Sequence, residues 1–485
     1  MKRAWSAALV LTMALGTVTA CSNNDSSNDS NAGASSSSMD SSAPSASESK
    51  KPQTITVAYN QGEFSWPTYQ KMADAYKEKT GNTVEFKYIP AGQFDNWVQT
   101  QFVGGTEPEI IMTSDGNKAD WFKNGWIVDL LPSLEENSPF TGGIWKDSFL
   151  DGVIDSALDK TDAANPKLYG VPDQLVTVNL YYNKDIFSKI GVTQPPATIT
   201  DFFEVAKKAT DAGYVGFSIQ NSMDWNLGWF EDDINQTIWR SELSNLDTNQ
   251  SGQIELSEWA AAVKNGKITA DTPQLKSFPQ FLKDLAPYLN KGFNTASWEF
   301  EGLFNDGKSA MTLNGSWYPN QHLQSKFPVN YGIAPIPYMD QGYSSLGDTE
   351  RHNYVVGGTP SLTVTRNAKN NGKLDAAIDF LRFWTDPIGG AKILTDGLYQ
   401  IPVVKNVPVP ELLTPIMEGF GSDKKPLTDT VVNFTAEQKD GYFKMKQQLL
   451  DGKLTPDQVV KSESKDIDKY VNDAIKAHPE WNLDG

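Results

Sequence analysis

Oxygen-bearing side chains recur at a fixed spacing between residues 247 and 258, and that spacing suits a hard divalent cation. Asp247, Asn249 and Ser251 stand at positions 1, 3 and 5 of a twelve-residue loop. Gly252 at position 6 permits the sharp turn, and the Gln253 carbonyl falls at position 7. Glu255 stands at 9, where ligation often runs through water, and Glu258 at 12 offers two oxygens. This is the pattern of an EF-hand calcium loop. Ser251 departs from it, because Asp or Asn is usual there, so the site loses a charge and with it affinity. Ile234, Trp239 and Leu243 fall where one helix would enter the loop, and Trp259–Val263 where another would leave it. No second loop of this kind occurs in the chain, which points to a structural Ca²⁺ rather than a calcium switch. A polar loop between two helices would reach the same spacing by chance.

Cys21 is the only cysteine in the chain. It follows a basic start, Met1-Lys2-Arg3, and an apolar run over residues 4–20 that is too short for a comfortable membrane span. Val18-Thr19-Ala20-Cys21 resembles a bacterial lipobox. The resemblance implies a signal peptide over residues 1–20, cleavage before Cys21, lipidation of its thiol and an anchor on the outer face of the cell membrane. An ordinary secretion signal with an incidental cysteine is the alternative. Residues 22–50 hold 13 serines and almost nothing apolar. A segment of that composition does not bury enough surface to offset its ordering entropy, so residues 21–53 are expected to form a disordered tether.

The remaining chain is long enough for two domains. Formal charge is −18 overall, and residues 1–50 account for −1 of it. A body this acidic repels nucleic acid and anionic polymers. Catalytic signatures are missing: there is no Gly-x-Ser-x-Gly elbow, no His-Glu-x-x-His pair and no phosphate loop. His322, His352 and His478 lack metal-ligand spacing. An exported glycan-active enzyme would need two facing carboxylates, and 60 acidic residues make such a pair uninformative by count. That reading, and a structural surface lipoprotein, stay as alternatives.

The elements that would position a site alternate between strand and helix. Thr54–Tyr59 alternates as a half-buried strand. Ser65 is placed as an N-cap with Pro67 in the first helical turn, and Tyr69, Met72, Ala73 and Tyr76 follow at helical spacing. Gly81 fits the stop. Val84, Phe86 and Tyr88 alternate again, and Glu109–Met112 reads as a short buried strand. Ala377, Phe380, Leu381 and Trp384 make a later helical stripe that Pro387 ends. Helices between short strands predict α/β layers on mainly parallel sheets.

Several stretches, taken in order, resemble the sugar-binding proteins of bacterial ABC importers, family 1 solute-binding proteins of the maltose-binding-like group. They are Tyr76–Gly81, Pro108–Ile111 with Gly125–Leu130, Tyr169–Pro172 with Leu180–Asp185, Phe304–Trp317, Tyr331–Pro337 and Leu398–Val403. The resemblance covers nearly all of residues 54–480. It implies an α/β, two-lobed periplasmic-binding-protein-like fold of type II, with hinge strands near 171–176, 333–337 and 400–402 and a ligand cleft between the lobes. Lobe 1 would comprise 54–172 with 335–400, and lobe 2 would comprise 173–334 with 401–485, including the calcium loop at 247–258. The implied partners are an uncharged oligosaccharide, the permease subunits of an ABC importer and a lipid anchor, with no nucleic acid. The protein would be a monomer without enzymatic activity.

Sugars present hydroxyls at the ring edge and C–H groups on the faces, so a site needs aromatic plates and hydrogen-bonding groups. Trp317 matches the family motif whose tryptophan stacks on sugar; a core tryptophan in the cleft wall is the other reading. Asp115 follows the Ile110–Ile111 strand at its C-terminal end, where open α/β sheets bind ligands. Glu63 and Trp66 follow the first strand in the same way. Trp225 and Trp229, four residues apart, share one helical face, which serves either core or cleft. Trp298, Glu301 and Asn314 are further candidates. The loop holding Gly357 would present backbone amides, or is simply a turn.

Overall fold

The computed structural model describes residues 51–113, 118–162, 164–221, 225–250, 254–295, 299–323, 329–351, 360–417 and 436–483. Residues 52–485 form one compact unit. Within it stand two sheets, each buried between hydrophobic clusters of its own, and a two-stranded ribbon.

The first sheet has the order β2-β1-β3-β10-β4. Its strands are β1 (Thr54–Tyr59), β2 (Thr83–Tyr88), β3 (Ile110–Thr113), β4 (Val171–Pro172) and β10 (Ser361–Val364). Successive side chains of a strand point to opposite faces, and both faces here are buried. Val57, Tyr59, Ile110 and Met112 enter one core with Tyr69, Phe380 and Trp384, while Ala58 and Ile111 enter another with Phe94 and Phe102. The second sheet has the order β7-β8-β6-β9. Its strands are β6 (Val178–Asn183), β7 (Val215–Ser218), β8 (Ser309–Gly315) and β9 (Tyr331–Pro335). Its core gathers Leu180, Phe202, Phe217, Phe230, Met311 and Val459. Ile336 and Met339 also pack there, so the chain leaves this core only beyond Met339. Between the sheets, β5 (Gln174–Leu175) pairs antiparallel with β11 (Ile401–Pro402).

Local expectations hold where the sequence pattern is strong. The helix Trp66–Thr80 buries Tyr69, Met72, Ala73 and Tyr76, and Gly81 ends it at φ 80°. The helix Leu374–Trp384 buries the stripe from Ala377 to Trp384. Ser65 is buried but its side chain makes no cap hydrogen bond. A larger correction concerns the sheets. β1 pairs parallel with β2 and β3, and β7 with β8, but β10 runs antiparallel to β3 and β4, and β6 to β8 and β9. The sheets are mixed because β6 and β10 begin on the side from which the chain crosses between cores, opposite in direction to strands built by helical crossover.

One buried ion pair fixes the helix Trp225–Ile238. Glu231 accepts from Lys446 Nζ at 2.9 Å and from the Tyr442 hydroxyl at 2.5 Å, and the Lys446 side chain is 1% exposed. These bonds hold that helix to Ala436–Leu450. Replacing Lys446 with Ala takes this cation from a buried carboxylate, and urea unfolding should then show a loss of about 3–5 kcal/mol. A loss under about 1 kcal/mol, the range of exposed pairs, would contradict this account.

Candidate functional site

Strand direction fixes where the candidate residues gather. β1 and β3 are parallel and paired through Tyr59 and Met112, so the segments after both emerge at one edge of the first sheet. β4 ends at that edge with Pro172, and β10 starts there with Ser361 opposite Thr113. In the second sheet, β7 and β8 end together, β6 begins opposite Gly315, and β9 ends opposite Asn179. The ribbon β5–β11 joins the two edges. Ligands of open α/β sheets bind outside such C-terminal ends.

On the first sheet this edge carries a cavity of about 610 Å³. Its polar wall comprises Lys118, Asp159, Thr161, Tyr169 and Ser361, with Pro172 and Leu175 from the crossing. Hydrogen bonds from the Thr161 hydroxyl and amide hold Asp159 below the usual carboxylate range. Burial pushes the Tyr169 hydroxyl up to about 12, and its hydrogen bond to Asp159 adds to the shift. β4 reaches this position because Gly170 has no β-carbon; one there would lie 2.6 Å from Ser361 Oγ. Sequence reasoning missed Tyr169, Asp159 and Lys118. Their only signal was Tyr169-Gly170 at the start of the first crossing.

Glu63 lies in a short turn, Glu63–Ser65, directly after β1, and is exposed. Trp66 follows at the first position of its helix and is 44% exposed. It is the one aromatic among the exposed large apolar side chains of the described residues. Asp115 lies outside the described residues. Its described neighbours, Thr113 and Lys118, stand at the end of β3, where Lys118 Nζ donates to the Thr113 carbonyl at 3.4 Å.

On the second sheet, Trp317 sits in the turn after β8. Its ring lies over Gly315, where a β-carbon would be 2.2 Å from the indole. The Tyr181 hydroxyl donates to the Gly315 carbonyl at 2.8 Å, and Ser316 N to the Thr177 carbonyl at 2.8 Å. Trp229 meets Trp317 edge to face, centroids 5.7 Å apart, and both rings are half-buried. The structure therefore brings these two candidates together. Asn314 is fully buried; its amide donates to Glu301 Oε1 at 2.8 Å and its oxygen accepts from Gly315 N. Burial raises the Glu301 carboxyl, and the Asn314 bond partly offsets it. Asn314 and Glu301 thus face each other beneath the turn. Trp225 begins the helix that carries Trp229, but its side chain, Trp298 and Gly357 lie outside the described residues.

The calcium-loop residues lie elsewhere. The helix Trp225–Ile238 has 14 residues, which carries the chain about 20 Å from the sheet edge before the loop begins. Helices Leu243–Leu246 and Leu256–Lys264 flank the loop, and Trp239 packs on Trp259 at 4.8 Å. Glu258 closes it. Its Oε1 accepts from Thr248 N, the Thr248 hydroxyl and Asn249 N, and its Oε2 from Glu255 N. Burial would raise this carboxyl, but those hydrogen bonds outweigh it and hold the group below its ordinary value. The two ends of the loop therefore meet, as a chelating loop requires. An ion would have to displace the Thr248 and Asn249 donors from Glu258. Ser251, Gln253 and, far from the loop, Cys21 lie outside the described residues.

With this arrangement in view, comparison with known proteins is informative. The family model "Bacterial extracellular solute-binding protein" matches residues 67–391. The chain is 24% identical over 337 residues to the "Putative ABC transporter periplasmic-binding protein YcjN" of Escherichia coli K12, covering 68% of each. Among solved structures it resembles "Maltose bound T. maritima MalE3", with TM-score 0.61, 19% identity, 87% of this chain and 100% of that one covered. The GacH receptor of Streptomyces glaucescens matches with the same TM-score, 0.61, identity, 19%, and coverage, 87% and 100%. These structures share the mixed α/β, two-lobed architecture. With more than half of its length matched by the family model, the chain belongs to the bacterial extracellular solute-binding proteins.

Proposed function

We propose that this protein is the capture subunit of an ABC importer and that it binds an uncharged oligosaccharide between its two lobes. The observation that carries the reading is the pairing of sites across the ribbon: exposed Trp66 at one sheet edge, the Trp229–Trp317 pair at the other. Aromatic plates at both of the edges that the ribbon joins suit the C–H faces of sugar rings. The names of YcjN, MalE3 and GacH, the last described in complex with acarbose, support transport and sugar binding. Lys118 is the one basic side chain in the described cavity wall, which favours an uncharged solute over an anionic one. Trp317, Trp229, Trp66, Glu63 and Asp115 are the proposed first contacts, with Tyr169 and Asp159 added by the structure. The proposed lobes are 54–172 with 335–400 and 173–334 with 401–485, although Ile336 and Met339 pack in the second sheet's core and Val403 and Val404 in the first sheet's.

The same reading places the protein outside the cell, held by a lipid on Cys21. No helix among the described residues is long and apolar enough to cross a membrane. Mass spectrometry of membrane-extracted protein should find a diacylated Cys21; an unlipidated residue 21 would remove the anchor. We further propose that Asp247, Asn249, Ser251, Gln253, Glu255 and Glu258 hold a structural Ca²⁺ in the lobe 2 loop.

A thermal-shift screen against uncharged plant, milk and starch-type oligosaccharides tests the capture role. One linkage class should raise the melting temperature by several degrees, since a ligand at 100 times its Kd stabilises by about 2.7 kcal/mol. Flat curves from protein that melts cooperatively would overturn the sugar reading. With the ligand known, Trp317→Ala should weaken binding by about 1–3 kcal/mol without loss of fold, and unchanged affinity would remove its stacking role. For the ion, chelator should lower the melting temperature of the wild type, and Asp247→Ala should abolish that response. A melting temperature indifferent to calcium in the wild type would leave Glu258 as a purely protein-bonded clasp.

A further inference from the structure

Asp173 links β4 to β5, at the point where the chain leaves the first sheet for the ribbon. Its side chain is buried. One carboxylate oxygen accepts from Trp384 Nε1 at 2.6 Å and the other from Gln400 Nε2 at 3.4 Å, while its amide donates to the Pro360 carbonyl at 2.8 Å. Gln400 directly precedes β11, so this bond runs diagonally across the ribbon. A cavity of about 10 Å³, at the lower limit for one water, adjoins the pair, walled by uncharged Thr385, Leu394, Thr395 and Val403. The titratable side chain that feels Asp173 is Tyr69, on the helix Trp66–Thr80, whose hydroxyl is pushed up by burial and then by the Asp173 charge. The Gln400 carbonyl oxygen is buried and has no hydrogen-bond partner. The ribbon's other face is held by apolar packing, with Ile401 among Tyr181, Ile333 and Leu413.

We propose that Asp173 and Gln400 form a proton-operated brace across the hinge ribbon, and that its protonation state sets how readily the lobes close. The proposal rests on the two-lobed capture reading. As an anion, Asp173 accepts from Trp384 and Gln400 but holds a buried charge with no cation among its neighbours, which is costly. Protonated, it carries an O–H that the Gln400 carbonyl oxygen can accept once the amide turns over. Nitrogen and oxygen of an amide occupy nearly the same volume, so the turn needs no repacking. The proton comes from solvent and returns to it. Each amide orientation therefore belongs to one protonation state: the anion leaves the Gln400 oxygen unpaired, and the neutral form pairs that oxygen, releases the Nε2 donor and removes the buried charge.

Burial pushes the Asp173 carboxyl up to about 7, against the two donors that lower it. The sign follows. A carboxyl raised in the folded protein stabilises the braced form fully below its unfolded value near 3.9, and that contribution is lost as pH rises through about 7. Above that pH the buried charge favours any state that lets water reach it, which here is the open hinge. Asp233, beside Arg351 at 3.5 Å, also titrates near 7, so only comparison with a variant isolates Asp173.

The test is small-angle scattering of the ligand-free protein from pH 5 to 8. The wild type should expand as pH rises, with a midpoint near 7, and Asp173→Asn should remove that midpoint. A wild-type profile flat across the range, or an Asp173→Asn profile that keeps the midpoint, would overturn the brace. Gln400→Met keeps the volume and removes the amide. It should also flatten the profile, and it decides the matter if Asp173→Asn does not fold. Melting temperatures add a second readout: the advantage of wild type over Asp173→Asn should shrink from pH 5 to pH 8, whereas a merely structural role gives a constant difference. No sugar enters these measurements, so a failed ligand screen beside an intact midpoint would remove the capture reading and leave the brace.

Discussion

The antiparallel pairing of Gln174–Leu175 with Ile401–Pro402 is the constraint from which the site follows. Two cores must share one chain, and each crossing has to satisfy its backbone groups on the way. A short ribbon does this and leaves the two sheets few other covalent ties. Because β4 enters the ribbon at Pro172 and β6 leaves it at Val178, both sheets present to the ribbon the edges where their parallel strands end. Placing candidate ligand groups at those edges needs no further device, since β1, β3, β7 and β8 all end there.

What distinguishes the two sides is how firmly each aromatic is held. Trp317 rests on Gly315 and on a turn fixed by Tyr181 and Thr177, and Trp229 rides on a helix held by the Glu231–Lys446 pair. In the proposed capture role, these supports would hold the second-sheet plates before a ligand arrives and so limit the ordering entropy that binding must overcome. Trp66 is different. It projects from the first residue of a helix with 44% of its surface exposed, and closure would give it contacts it lacks in this structure. In that proposed role one wall is preformed and the other would complete itself around the solute.

Much of this was legible in the sequence. Tyr69, Met72, Ala73 and Tyr76 announce their helix because a 3.6-residue period is a local property, and Gly81 its end because a left-handed residue is too. Strand direction is not local. A period-2 pattern such as that of Val84, Phe86 and Tyr88 is identical for parallel and antiparallel pairing, and so the mixed sheets were read as mainly parallel. Trp317 stood out by its motif, whereas its contact with Trp229 required 87 intervening residues to fold back. Tyr169, Asp159 and Lys118 converge from three segments with no shared pattern. The calcium-loop spacing was visible in one dimension; that Glu258 already closes the loop through Thr248 and Asn249 was not, because a hydrogen-bond partner leaves no spacing of its own.

The buried carboxylates show why the mobile part of such a protein carries a different chemistry from its static parts. Glu231 is buried with Lys446, and buried Glu109 pairs with half-buried Lys373 at 2.7 Å. Separating either pair strands a charge in a low-dielectric interior, so these pairs resist motion. Asp173 has amide and indole donors in place of a cation. Neutral donors leave the energies of its two protonation states close together, because burial and hydrogen bonding act in opposite directions on the anion. A carboxyl with two states of similar energy would be a liability inside a core, where a unique arrangement is needed. In a ribbon that must bend it is an advantage, because the energy difference that selects between bent and straight has to be small enough for a bound solute to reverse.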